Sequence, residues 1–167
     1  MTLKVSVVIP VYNRPDLLRR AVLSVSRQSF APFEILVVDD GSTPPVGSLK
    51  DFNSIDVRIF RNEQNQGVSA ARNLGIREAN GDWIALLDSD DEWMEEKLEK
   101  QIEHIEQHEG LYAVHTGEKW IRNGNEVIPP AYLNKNPDKL WERSLQHCLI
   151  CPSSVLLHKS IFQRIGL

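Results

Sequence analysis

Gly81-Asp82-Trp83-Ile84-Ala85-Leu86-Leu87-Asp88-Ser89-Asp90-Asp91 is the stretch on which the fold turns. Trp83 to Leu87 is an apolar run of strand length with no polar alternation, as expected where a sheet is covered on both faces. It stops at Asp88-Ser89-Asp90-Asp91, with Glu92 next. Acids this close repel one another unless solvent or a cation relieves them. Hard oxygen donors favour magnesium or manganese, held by one or two carboxylates plus substrate phosphates. The competing reading is a solvated helix start, with Asp90 or Asp91 as cap and Glu92 against the helix dipole. The preceding buried strand tips the balance toward a cation site.

Working outward, the chain alternates apolar runs with helical patterns. Val5 to Ile9 reads as a strand, Pro10 to Asn13 as the loop ending it, and Pro15 as the first turn of a helix. That helix carries Leu17, Leu18, Ala21, Val22 and Val25 at helical spacing. Ile35 to Val38 is a second strand, closed by Asp39-Asp40-Gly41-Ser42, and Val57 to Phe60 a third. Gly67 to Asn80 puts Ala71, Gly75 and Ala79 in a stripe of small residues suited to close packing on a sheet, with Gly81 just past the helix end. After the acidic cluster a long helix is expected, with Met94, Leu98, Ile102 and Ile105 on one face and Gly110 ending it. Strands alternating with helices imply right-handed crossovers and a mostly parallel sheet flanked by helices.

Beyond residue 110 the pattern changes. Leu111 to Thr116 reads as a strand, Asn123-Gly124-Asn125 as a turn between Trp120 and Val127-Ile128, Pro129 to Pro137 as loop, and Cys148 to Leu157 as a further strand. The expected organisation is an α/β core over 1–110, with 111–167 starting a further part of the same domain.

In open parallel sheets ligands bind beyond the carboxyl ends of the strands. Three strand ends here carry polar loops, at Pro10 to Asn13, Asp39 to Thr43 and Asp88 to Asp91, and this topology brings them to one edge. Other constellations are weaker. His104 and His108 lack the zinc-protease pattern and read as a solvated helix end. Cys148 and Cys151 have no second pair and read as core cysteines.

Composition narrows the classes. The chain has 167 residues, 41% of them hydrophobic and 25% charged, and a formal net charge of −4. That suits one soluble domain and argues against a nucleic-acid partner. No apolar run approaches the ~20 residues of a membrane span. The expected location is cytoplasmic, or peripheral at the inner face of a membrane.

Val5-Ser6-Val7-Val8-Ile9-Pro10-Val11-Tyr12-Asn13, Leu36-Val37-Val38-Asp39-Asp40-Gly41-Ser42-Thr43, Asn65-Gln66-Gly67-Val68-Ser69-Ala70-Ala71-Arg72-Asn73 and the opening stretch, in this order, resemble family 2 glycosyltransferases of the GT-A fold. The resemblance covers residues 3 to about 110 and continues more faintly to the end; it implies that 1–110 is a nucleotide-sugar-binding core and 111–167 the start of the acceptor-binding part of the same domain. It implies metal-dependent transfer, with inversion, of a sugar from a nucleotide diphosphate, UDP-linked, to a hydroxyl of a saccharide or lipid-linked acceptor. Pro10, Val11 and Tyr12 would line base and ribose, and Asp40 would meet the base. Gly67 and Arg72 would border the nucleotide, and Asp88 and Ser89 the ribose or sugar. Asp90, assisted by Asp88, would hold Mn2+ or Mg2+. The family's general base comes from a later acidic motif, and this chain stops at Leu167. A truncated domain without its base is therefore expected, one that binds donor and metal, transfers sugar poorly or not at all, and self-associates through its late strand. Glu118, Glu126, Asp138 and Glu142 match no such motif.

Overall fold

The computed structural model describes residues 3–49, 52, 55–135 and 140–167. The strands are β1 (Val5–Val11), β2 (Glu34–Asp39), β3 (Asp56–Arg61), β4 (Trp83–Leu86), β5 (Ala113–His115), β6 (Trp120–Arg122), β7 (Asn125–Val127) and β8 (Val155–His158). The helices are α1 (Pro15–Ser26), α2 (Val68–Glu78), α3 (Lys97–Gln107), α4 (Leu140–Ser144) and α5 (Ser160–Ile165). Six strands form one sheet in the order β3-β2-β1-β4-β8-β5, and β6 and β7 pair as a hairpin. β3 through β4 are parallel, and β8 enters antiparallel between β4 and β5. The architecture is the expected α/β one, a mostly parallel sheet flanked by helices.

The apolar runs lack alternation because both faces of the sheet are covered. Val7, Ile9, Ile35, Val37 and Ala85 pack with Leu18, Val22 and Val25 of α1 and with Leu98 and Ile102 of α3. Val8, Leu36, Val38 and Ile84 pack with Ala71, Ile76 and Ala79 on the α2 side. Burying each larger side chain contributes about 1.5–3 kcal/mol. The small stripe does what its spacing predicts. A Cβ on Gly75 would lie 2.4 Å from Val8 Cγ1, so α2 approaches the sheet as closely as its backbone allows.

Several boundaries differ from expectation. β1 continues through Pro10 and Val11, in register with Val38 and Asp39. Leu87 N–H donates to Val8 O, and pairing with β4 stops there. The missing N–H of Pro10 faces that already finished side, so the proline costs the sheet nothing. α3 starts at Lys97, and Met94 stands exposed outside it. The intervening loop is pinned by α1 and its C-terminal extension: Trp93 N–H donates to Ser24 Oγ at 3.0 Å, Gln28 Nε2 to Met94 O at 2.7 Å, and Ser29 N–H to Glu95 O at 2.9 Å. Trp93, not Met94, is the core residue there.

Gly81 is not a left-handed cap. A Cβ there would lie 2.7 Å from Lys4 O and from Ser6 Oγ, so the glycine permits close passage over β1. β8 is shorter than the expected Cys148 to Leu157 strand, because a 3-10 turn at Pro152–Ser154 precedes it. Cys148 is exposed and Cys151 half-buried, so neither belongs to the core. The expected Pro129 to Pro137 loop holds a 3-10 turn at Ala131–Leu133, and its residues 136 and 137 lie outside the described residues.

The amino edge of the sheet is locked by a buried acid that no motif announces. Glu34 accepts from Ser6 Oγ at 2.7 Å, Asn80 N–H at 2.6 Å and Arg58 Nη1 at 2.9 Å. Burial by itself would raise its pKa, but these donors outweigh it and hold the carboxyl below its usual range. Chemistry is left to the opposite edge.

Candidate active site

β1, β2 and β4 all end at the carboxyl edge, and their loops are tied together. Asn13 adopts φ 54° just past β1. Its N–H donates to Ser42 Oγ at 2.9 Å, and its Oδ1 accepts from Thr43 N–H at 2.8 Å. Asp39 is buried and accepts from Ser42 N–H at 2.8 Å, Val46 N–H at 3.0 Å and the Arg61 guanidinium. Burial pushes its pKa up, these donors pull it down further, and the net shift is downward. Asp39 is thus the structural member of the Asp39-Asp40 pair.

Asp40 is 3% exposed, and both of its oxygens are engaged. It accepts from Asn62 Nδ2 at 2.7 Å, Gln66 N–H at 3.0 Å and Gly67 N–H at 2.8 Å. Gly67, at φ +90°, opens α2 from this loop. What Asp40 presents at the edge is therefore the Asn62 to Gly67 loop that it shapes. Pro10 and Val11 are buried in the strand end, whereas Tyr12 is exposed on the rim.

The acidic loop follows β4. Asp88 is half-buried and pairs with Arg72 of α2 at 2.5 Å. Asp90 is exposed and pairs with Arg14, just before α1, at 2.5 Å. Glu92 pairs with Arg20, one helix face further along α1. Ser89 is buried. Asp91 accepts from Ser153 Oγ at 2.5 Å, and the same oxygen accepts from Asp88 N–H at 3.0 Å. Trp93 Nε1 donates to Ser153 O at 2.8 Å, so the turn before β8 braces the whole loop. Burial, reinforced by the Asp88 and Asp90 charges and opposed by Ser153, raises the Asp91 pKa. The repulsion expected among these acids is relieved by three arginines, with Asp91 the one carboxylate left to a hydroxyl.

A cavity of about 560 Å³ opens between Asp91 and the β6–β7 hairpin, lined also by Trp120, Ile121, Arg122 and Ile128. Glu118 pairs with Lys135 and Glu126 with Lys119; Asp138 lies outside the described residues. Among the described residues no group of three or more His, Cys, Asp or Glu forms a metal cage. Asp88 and Asp90 still suit a hard cation whose remaining ligands are phosphates and water, which is how magnesium-type ions usually bind. No helix among the described residues is long and apolar enough to cross a membrane.

The sequence singled out Pro10, Val11, Tyr12, Asp40, Gly67, Arg72, Asp88, Ser89 and Asp90, and all of them lie on this edge. It gave no role to Arg14, Asn62 and Ser153, and read Asp91 only as a member of the acidic cluster or a helix cap. Arg14 adjoins the first quoted motif, and adjacency was the one signal available for it. Asn62 and Ser153 are brought in by the fold alone.

A mostly parallel sheet whose carboxyl edge gathers these loops is the GT-A arrangement of glycosyltransferases. The sequence profile of glycosyl transferase family 2 matches residues 6–166, and the chain belongs to that family. It is 37% identical over 161 residues to an uncharacterized glycosyltransferase of Rickettsia felis, covering 96% of this chain and 27% of that protein. It is 30% identical over 159 residues to the Escherichia coli UDP-Glc:alpha-D-GlcNAc-diphosphoundecaprenol beta-1,3-glucosyltransferase WfgD, covering 94% of this chain and 61% of that protein. The chain thus spans 27% and 61% of the lengths of these two relatives, less than two thirds of either. Among solved structures, S. aureus TarS 1-349 in complex with UDP superposes with a TM-score of 0.75 at 23% identity, covering 97% of this chain and 48% of that one. The mannosyltransferase PcManGT from Pyrobaculum calidifontis, in complex with GDP-Man and Mn2+, gives 0.71 at 17% identity, covering 99% and 47%.

Proposed function

We propose that this chain binds a UDP-linked sugar together with Mn2+ or Mg2+ at the carboxyl edge of its sheet. The sugar is then transferred, with inversion, to a hydroxyl of a saccharide or lipid-linked acceptor. The observation that carries the reading is the meeting of Asp88 and Asp90 with the loops after β1 and β2 on one edge. Pro10, Val11 and Tyr12 border the base and ribose, and Asp40 fixes the loop through Gly67 against which the base lies. Arg72 faces the phosphates, and Asp88 and Ser89 the ribose or sugar. Asp90, with Asp88, holds the cation. When bound, that cation neutralises the negative charge growing on the departing diphosphate.

The acceptor enters the cavity beside Asp91, where the Trp120 ring gives a sugar a flat apolar face and Arg122 a positive charge. A positive charge suits an acceptor like that in WfgD's name, where the sugar is joined to a lipid through a diphosphate. Inversion requires a base on the face of the sugar opposite the diphosphate. Glu118 and Glu126 each pair with a lysine and neither stands out as that base, which leaves a second reading, binding of donor without transfer.

The test is a UDP-release assay with UDP-sugars, Mn2+ and short-chain diphosphate-linked saccharides. Acceptor-dependent release supports transfer. Donor binding without release supports the second reading, and absence of both refutes the proposal.

A further inference from the structure

We propose that Arg14 is an exchangeable counter-ion that binds the donor diphosphate. In the empty site it neutralises Asp90, and on loading it yields that carboxylate to the divalent cation and turns to the phosphate oxygens. The inference rests on the donor reading above and adds to it a residue and an order of charge exchange.

Three observations carry it. The carboxylate suited to hold the cation already has one: Arg14 Nη1 lies 2.5 Å from Asp90 Oδ2. A dication taken up by Asp90 would share that carboxylate with the guanidinium, and two like charges this close repel each other. Loading therefore weakens the Arg14 pair and favours its exchange. The pair is about half exposed on both sides, so breaking it is inexpensive.

The second observation is reach. A magnesium-type ion binds oxygens at about 2.0–2.1 Å and keeps substrate phosphates in the same coordination shell. A guanidinium released from Asp90 would then have those phosphates as its nearest anionic partners, to be reached by turning its side chain. Guanidinium pairs well with phosphate through two parallel hydrogen bonds.

The third is the companion arginine. Arg72 pairs with Asp88, yet its Nε is buried without a hydrogen-bond partner among the described residues. A buried donor left unpaired is costly, and an anionic ligand at this edge would satisfy it. Both arginines are therefore in an arrangement that suits the empty site and improves when a diphosphate arrives.

Arg14 can be replaced cleanly, because it stands at the N-cap of α1 and its side chain makes no capping bond. Mn2+ binding is followed by loss of the free-ion electron paramagnetic resonance signal, and UDP binding at saturating Mn2+ by calorimetry. The variants are Arg14→Ala, Arg14→Lys and Arg20→Ala, the last breaking a like pair to Glu92 about 9 Å further along the helix. Arg14→Ala is expected to bind Mn2+ alone about two- to fivefold more tightly, the range an exposed pair implies. The same variant is expected to bind UDP at least about tenfold more weakly, as loss of a charge-assisted bond implies. Arg14→Lys falls between, and Arg20→Ala matches the parent in both. Unchanged affinities in Arg14→Ala, a shift of both in one direction, or an equal effect of Arg20→Ala would overturn the exchange. A parent chain that binds neither Mn2+ nor UDP would instead refute the donor reading, and the exchange with it.

Discussion

Replacing Asp40 by alanine removes the acceptor of three hydrogen bonds, from Asn62 Nδ2, Gln66 N–H and Gly67 N–H. The two backbone donors are partly open to solvent once freed, so water recovers some of the loss. A hydrogen bond to a charged group is worth about 1.5–3 kcal/mol. With partial resolvation, a net cost of about 2–4 kcal/mol is expected for alanine. For a chain of this size that is a fall in melting temperature of roughly 4–16 °C. Asparagine keeps one acceptor for the backbone donors, and its amide can meet Asn62 if that side chain flips, so it should cost about 1 kcal/mol. Melting followed by circular dichroism, with UDP calorimetry on the same samples, separates two roles for the carboxylate. If Asp40 acts by holding the loop, stability and UDP affinity fall together and in the order alanine, then asparagine. An alanine variant melting within about 1 °C of the parent would refute the loop-holding argument.

Two further predictions concern pH. The folded pKa of Glu34 is lowered, so its contribution to stability is complete above its unfolded value of about 4.5 and is lost as pH falls through the folded value. Glu34→Gln should therefore be destabilised near neutral pH and flatten the acid limb of stability; an unchanged acid limb would refute this. Lys97 is buried beneath Trp93 with its Nζ on Gln101, and burial lowers its pKa to about 7. Its depressed pKa penalises the fold fully below pH about 7, and the penalty fades as pH rises toward the unfolded value. Lys97→Met should raise the melting temperature at pH about 6 and lose that advantage above pH about 10. An advantage independent of pH would point to packing instead.

The core of the sheet was legible because burial on both faces writes an unbroken apolar run, and small residues spaced by four mark a helix pressed against it. The edge was legible because Asp39, Asp40, Asp88 and Asp90 each end such a run. Loop geometry was not legible. A helix pattern through Met94 is indistinguishable from the pinned loop that follows Asp91, because its bonds come from Ser24, Gln28 and Ser29, more than sixty residues away. Pro10 suggested a strand end because nothing local reveals that the adjoining ladder stops at Val8. The arginine partners of the acids were hidden for the same reason, since Arg14 and Asp90 stand 76 positions apart.

The most direct measurement is calorimetric titration of UDP into the chain with and without Mn2+, repeated on Asp90→Asn with its fold checked by circular dichroism. The account predicts UDP binding by the parent that is much tighter with Mn2+, and a variant that keeps its fold but loses the Mn2+ enhancement. Metal-independent binding by the parent, or full Mn2+ enhancement in Asp90→Asn, would contradict it.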